Sequence, residues 1–394
     1  MQEGSRRERI PLDVFLKRSW PLIALGAVLI LFVSGLLLWY AVSGTGRTAP
    51  HASAPVEGSA TSTSATSTLT LVPRSLDGVL VEPTLAHLLP FAVMIDNQPD
   101  ARPESGLAEA SLVFESPVEG GLTRYMAVFD SSSTVDQIGP VRSARPYFVD
   151  WANGLGALYA HVGGSPDALD YIKSMPAFHN VDQFFNGSTF WRSAKRVAPH
   201  NTYTRSDLLL SLAQAKNWRP AQWHAWDYKD DDALSATSTA QGATLTTSSS
   251  TTKTVKVKTT TVLRGGAAGP SIAYNGDTNV AWQFDKTNDT YIRVMNGAQY
   301  TDLDGMQVRA HNIVVLLTDS QTLDSEGRLK VRTTGRGSAL LYRDGDVLPV
   351  TWFRSTGGQI SFESVDGTNV TFNRGTTWIE VVASSVLFQG LKGK

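Results

Sequence analysis

Cysteine is absent from the 394 residues. That excludes disulfides, thiol nucleophiles, Cys-ligated zinc, iron–sulfur clusters and a lipid-modified cysteine. Net charge is nearly absent too, with 35 Lys plus Arg against 36 Asp plus Glu. With no positive surplus to displace counterions from a phosphate backbone, a general nucleic-acid partner is excluded. Four common signatures are missing: Gly-x-Ser-x-Gly, His-Glu-x-x-His, a Walker loop and Gly-x-Gly-x-x-Gly. Their absence argues against common serine hydrolases, zinc peptidases and nucleotide-driven enzymes. What is present is apolar. The chain is 42% hydrophobic, with 10 Trp, 11 Tyr and 15 Phe. That suffices for packed cores and excludes wholesale disorder, and the length suits two or three domains.

The N-terminus carries the clearest pattern. No charged residue occurs from Ser19 to Gly46, and Trp20 to Val42 is apolar all round. About 20 such residues cross a bilayer as a helix, because a helix satisfies its own backbone in hydrocarbon. Trp20, Trp39 and Tyr40 lie near the two ends, where amphipathic rings favour the interface. Arg6, Arg7, Arg9, Lys17 and Arg18 precede the run, and Arg47 is the first basic residue after it. The positive side stays inside. Residues 1–19 therefore read as a cytoplasmic tail, 20–42 as a single transmembrane helix in the bacterial membrane, and the bulk of the chain as extracytoplasmic. The competing reading is a signal peptide cleaved near Ala41 or Ser43. The run exceeds the usual signal core of roughly 7–15 residues, which favours an uncleaved anchor.

Beyond the run, residues 43–75 are rich in Ser, Thr, Ala, Pro and Gly and read as a stalk. A similar low-complexity tract covers 234–269, in which Lys253 to Lys258 alternates like a short edge strand. The tract divides the exported part in two. Residues 76–233 mix strand and helix signals. Strands are expected at Phe91–Asp96, Ser111–Glu115, Leu122–Phe129 and Ala157–Val162. Helix starts follow Pro146, Ser165-Pro166 and Thr204, the last with Asp207 completing a box. Interleaved strands and helices indicate an α/β layered domain. Residues 270–394 show strands punctuated by turns, with Asp344-Gly345 and Asp366-Gly367 as hairpin signals and Asn312–Leu317 as a central strand. The expected fold is thus an α/β (α+β layered) exported domain followed by a small all-β domain.

Candidate chemistry concentrates in the first part. Arg102, Arg124, Arg142, Arg145 and Arg192 lie in Gly/Pro-punctuated contexts. Arginine suits bidentate capture of phosphate or carboxylate. The run His161 to Asp167 places Gly163 and Gly164 at a strand end, with Ser165 capping a helix that starts at Pro166. Such an arrangement can hold an anion. His161 and His200 are candidate proton carriers or phosphate partners. Asp96, Glu115 and Glu119 are candidate Mg²⁺ ligands. Surface ion pairs, an ordinary capped helix, hydrogen-bonded core histidines and solvated loop acids are the plainer alternatives for these groups.

Several stretches together resemble the YerB-like family of bacterial envelope proteins of unknown function. They are Phe91–Asn97, Ala101–Leu107, Glu119–Arg124, Gly139–Pro146, His161–Pro166 and Ala198–Asn201. The likeness is dense over 85–215 and thinner through 291–379. It implies an exported domain with a C-terminal β region. Many members of that family are lipoproteins, so here the apolar helix would replace the lipid. The order of strands and arginine loops is also similar to the LytR-CpsA-Psr phosphotransferases, which act on polyprenyl-linked glycopolymers, although the motifs do not match residue for residue. Three functions are in view. The first is binding of an anionic cell-wall or lipid-linked ligand in an Arg/His pocket. The others are phosphotransfer and a non-enzymatic envelope scaffold.

Overall fold

The computed structural model describes residues 70–221, 225–230, 255–257, 260–262, 268–275 and 278–383. The expected tail 1–19, the helix 20–42, and most of the stalk and of the tract 234–269 lie outside the described residues. No helix among the described residues is long and apolar enough to cross a membrane. Thr68–Lys394 form one compact unit.

Ten strands build the main sheet. In chain order they are β1 (Phe91–Asp96), β2 (Leu112–Pro117), β3 (Thr123–Phe129), β4 (Leu158–His161), β5 (Asn180–Asp182), β6 (Asn312–Thr318), β7 (Gly335–Arg343), β8 (Asp346–Arg354), β9 (Ser361–Ser364) and β10 (Thr377–Ala383). Their spatial order is β9-β8-β7-β6-β10-β2-β3-β1-β4-β5. The centre is therefore a junction between distant segments: β10 pairs in parallel with β2, Thr377 opposite Leu112 and Glu380 opposite Glu115. This corrects the expectation of an α/β domain over 76–233 and a separate all-β domain over 270–394. The strands of both segments complete one sheet, because β2 and β10 are buried on both faces and each needs a hydrogen-bonded neighbour on either side. The folded part also begins before residue 76: Val72–Pro73 pairs with Leu80–Val81, and Arg74 is hydrogen-bonded to Asp77.

Strand alternation divides the core into two layers. Ala92, Met94, Phe114, Met126 and Val128 face the helices α1 (Pro146–Gly154) and α2 (Pro166–Lys173). α1 begins at the expected proline and buries Tyr147, Phe148 and Trp151, the last stacked on Phe114 at 4.9 Å between centroids. On α2 the expected cap is present, with Ser165 Oγ accepting from Ala168 N at 3.3 Å. Phe91, Val93, Ile95, Tyr125 and Ala127 face the other way. They meet α3 (Ser206–Ala215) and a second sheet of five strands built from Ala268–Asn275 to Arg309–Ala310. α3 starts two residues after Thr204, whose hydroxyl donates to Thr189 O instead of capping the helix. Each large apolar side chain enclosed in these layers contributes about 1.5–3 kcal/mol. Asp344-Gly345 makes the expected turn from β7 to β8, with φ of 55° and 74°. Val255–Val257 is a strand as expected and pairs with Thr260–Val262.

Candidate functional site

The carboxyl ends of the parallel strands β1, β4 and β5 gather at one end of the sheet. There the chain at 140–144 threads between β1 and β4. Arg142 N donates to Met94 O at 2.9 Å and Val162 N donates to Arg142 O at 3.0 Å. Ala144 N donates to Gly163 O at 2.9 Å, so the Gly139–Pro146 and His161–Pro166 motifs lie against each other. Gly163 has a φ of +56° and a Cβ there would meet the Phe184 ring at 3.2 Å, which explains why glycine stands at this strand end.

Register decides which side chains meet. Across β1, β3 and β2, Asp96 lies opposite Arg124 and Arg124 opposite Ser116. All three sit on the α1/α2 side with Met94 and Met126. Arg142 Nε lies 2.9 Å from Asp96 Oδ2, an ion pair without hydrogen-bond alignment. His200 Nδ1 reaches the same oxygen at 2.7 Å. Arg145 grips Glu119 with both arms, at 2.6 and 2.7 Å. Burial acts to raise Glu119, but that fork outweighs it and holds the carboxyl below its usual range. Arg124 is different. It is 5% exposed, donates to Ser143 O at 2.7 Å, and has no ion-pair partner among the described residues. Burial, with the Arg145 charge beside it, pushes its guanidinium down to about 10 against the pull of Asp96. Ser116 Oγ, Arg124 Nε and Tyr159 Oη are all buried without hydrogen-bond partners. Three guanidiniums thus face two carboxylates, with unsatisfied polar atoms among them.

The remaining candidates go elsewhere. His161 is fully buried, with Nδ1 2.7 Å from Gly163 O and Nε2 2.7 Å from Asn180 Oδ1, so both ring nitrogens serve the fold. Ser165 is used by its own helix, and Gly164 packs against Leu169 and Ala144. Arg102 is fastened to Asn97, and Arg192 lies on the surface with Asn201. The Mg²⁺ set does not assemble. Ile95, Tyr125 and Glu115 share a register row one residue away from that of Asp96, so alternation sends Glu115 to the opposite face. Glu119 is held by Arg145 and Asp96 by Arg142 and His200. Among the described residues no group of three His, Cys, Asp or Glu is placed to hold a metal.

On that opposite face Glu115 belongs to a network that the sequence reading passed over. Arg293 donates to Glu115 Oε2 at 2.6 Å and to Glu380 Oε1 at 3.0 Å, and all three side chains are 0% exposed. Trp282 Nε1 and Tyr274 Oη each donate to Glu380 at 2.7 Å, and the guanidinium lies 4.5 Å from the Trp378 ring centroid. The available signal was an arginine inside the apolar strand Tyr291–Met295. Ser116 and Tyr159 were also passed over, and only the register reveals them.

A groove of about 650 Å³ starts at Pro146 and Tyr147, the residues after Arg145. It runs between the N-terminal turns of α1 and α2 and the hairpin Ser320–Thr322/Leu329–Val331. Asp150 on its wall accepts from Tyr171 Oη at 2.8 Å and Thr333 Oγ1 at 2.6 Å.

A mixed α/β unit with a wide mixed sheet and an arginine cluster at its carboxyl edge is the class of molecule these features define. Residues 76–219 match the family model described as "Protein of unknown function (DUF3048) N-terminal domain", and residues 271–379 match the corresponding C-terminal domain. A relative from Bacillus subtilis (strain 168) named "Putative lipoprotein YerB" is 32% identical over 309 residues, covering 78% of this chain and 85% of the relative. The crystal structure of YerB protein from Bacillus subtilis superposes with a TM-score of 0.65 at 28% identity, over 79% of this chain and 96% of that one. The chain belongs to this family. The two family models meet in a single sheet through the β2–β10 pair.

Proposed function

We propose that this is a membrane-associated extracytoplasmic envelope protein whose arginine cluster binds a phosphate-bearing or carboxylate-bearing ligand of the cell wall or of a lipid-linked precursor. The observation that carries the reading is Arg124. A buried guanidinium without a carboxylate partner is costly to the fold and is relieved by an anion entering beside it. Ser116 Oγ and Tyr159 Oη supply neutral hydrogen-bond donors at the same place, and Arg142 lies at its half-buried rim. The groove beyond Arg145 offers room for the rest of such a ligand. Binding is favoured over phosphotransfer because His161 has both ring nitrogens engaged within the fold and Glu115 lies on the far face from Asp96. The location is supported by the basic flank before the apolar run and by the lipoprotein name of the relative. This sequence has no cysteine to carry a lipid, so the run at 20–42 is the anchor in this reading.

The test is calorimetric titration with pyrophosphate, first on the parent and then on Arg124→Met. We expect saturable binding by the parent and loss of at least tenfold in affinity for the variant, with a melting temperature equal to or above the parent's. A variant that melts well below the parent while the parent binds no anion would make Arg124 a structural residue and end the proposal. Protease added to intact protoplasts tests the location separately, since digestion of the bulk of the chain is required.

A further inference from the structure

The same end of the sheet exposes large apolar side chains that the anion site does not use. Phe184 and Phe185 are 68% and 84% exposed, side by side in the loop after β5. The loop holds them out by design of its backbone. Gly163 N and Phe184 N donate to Asp182 Oδ1 at 3.0 and 3.2 Å, and Phe185 N and Asn186 N both donate to Asp182 O at 3.0 Å. A second loop, between the paired strands Trp191–Arg192 and Thr202–Tyr203, exposes Val197 at 83%. It is fastened to the end of β1 by His200 on Asp96, and to the following turn by Arg196 on the carbonyls of Asp100 and Pro103. The two loops therefore bracket the rim where Arg142 sits. Residues 183–200 contain Arg192, Lys195 and Arg196 and no Asp or Glu.

We propose that this end of the molecule seats on an anionic lipid bilayer, with the Phe184 and Phe185 rings inserted below the headgroups and Arg192 and Lys195 facing lipid phosphates. Adjacent phenyl rings supported by cations without acids match a surface that is negative outside and apolar beneath. The chain outside the described residues argues for the same occupant. The apolar run ends at Val42, and 27 residues (43–69) separate it from Thr70, a length of chain that cannot exceed about 95 Å even fully extended. A unit anchored that closely meets the bilayer at high effective concentration, so weak docking suffices. The inference rests on the membrane-associated reading above and names its second contact.

Vesicle flotation of the compact unit 68–394 tests it independently of the anchor. Binding is expected to equimolar phosphatidylglycerol–phosphatidylcholine vesicles, and much less to phosphatidylcholine alone. The double variant Phe184→Ser/Phe185→Ser should bind the anionic vesicles about a hundredfold more weakly, with its melting curve and pyrophosphate titration unchanged. Arg124→Met should float like the parent, which separates failure of the anion site from failure of docking. Equal flotation of the double variant and the parent, or no flotation of either, overturns the proposal. So does a parent dimer in sedimentation that the double variant abolishes, because the rings would then cover each other.

Discussion

Arg293 and Arg124 are both enclosed in the same unit, and the protein treats them in opposite ways. Arg293 lies between two carboxylates and beneath aromatic rings, and its burial is answered by Coulomb attraction and hydrogen bonds from every side but Nε. It joins the second sheet to the β2–β10 junction, where the distant halves of the chain meet. Arg124 lies at the end of the interior strand β3, beside two other guanidiniums, with a single backbone acceptor and no carboxylate of its own. A compensated buried charge orders a fold, and its loss strands the partners. An uncompensated one opposes the fold and is eased by an added anion.

The comparison breaks most readily at Arg293. Arg293→Met leaves Glu115 and Glu380 buried without their cation, and a loss of about 3–5 kcal/mol is expected in urea unfolding. Adding Glu115→Gln and Glu380→Gln should recover much of it. A single variant as stable as the parent would mean the network does not hold the halves together.

A pH series comes next in size. Burial pushes Glu104, which accepts from Tyr300, to about 8, and pushes Asp302 to about 7. These groups hold protons in the folded state that the unfolded chain has already released. Stability should therefore fall as pH rises from the unfolded carboxyl range of about 4.5 toward 8, by about 1.4 kcal/mol for each unit of displacement fully expressed. The melting temperature is expected to drop by several degrees between about pH 5 and about pH 8, and Glu104→Gln should flatten the slope. A melting temperature that climbs over that interval would contradict the burial of these acids.

The smallest effect sharpens the contrast within the cluster itself. Arg145→Ala removes the fork on Glu119 and should cost about 1–2 kcal/mol in thermal unfolding, whereas Arg124→Met should cost nothing. Equal losses at both positions would erase the distinction between a paired and an unpaired arginine.

Much of this was legible one segment at a time. Continuous apolar runs marked β1 and β6, Ser165-Pro166 marked the start of α2, and Asp344-Gly345 marked a hairpin, because these signals act through neighbours a few residues apart. A fixed backbone around Arg142 and Arg145 was also foreseeable from Gly139, Pro140 and Pro146. The site's acids were not. Asp96 and Glu115 look alike in the sequence, yet one lies with Arg124 and the other with Arg293, because a side chain's face changes with every residue and the register that assigns it comes from another strand. The merging of the two halves had the same cause. Nothing local in Thr377–Ala383 or in Leu112–Pro117 names its neighbour. Each strand shows only apolar side chains on both faces, interrupted by a glutamate and a small hydroxyl residue. That β10 lies beside β2, and that Arg293 closes over their paired glutamates, follows from long-range pairing and the cost of leaving buried polar groups unmatched.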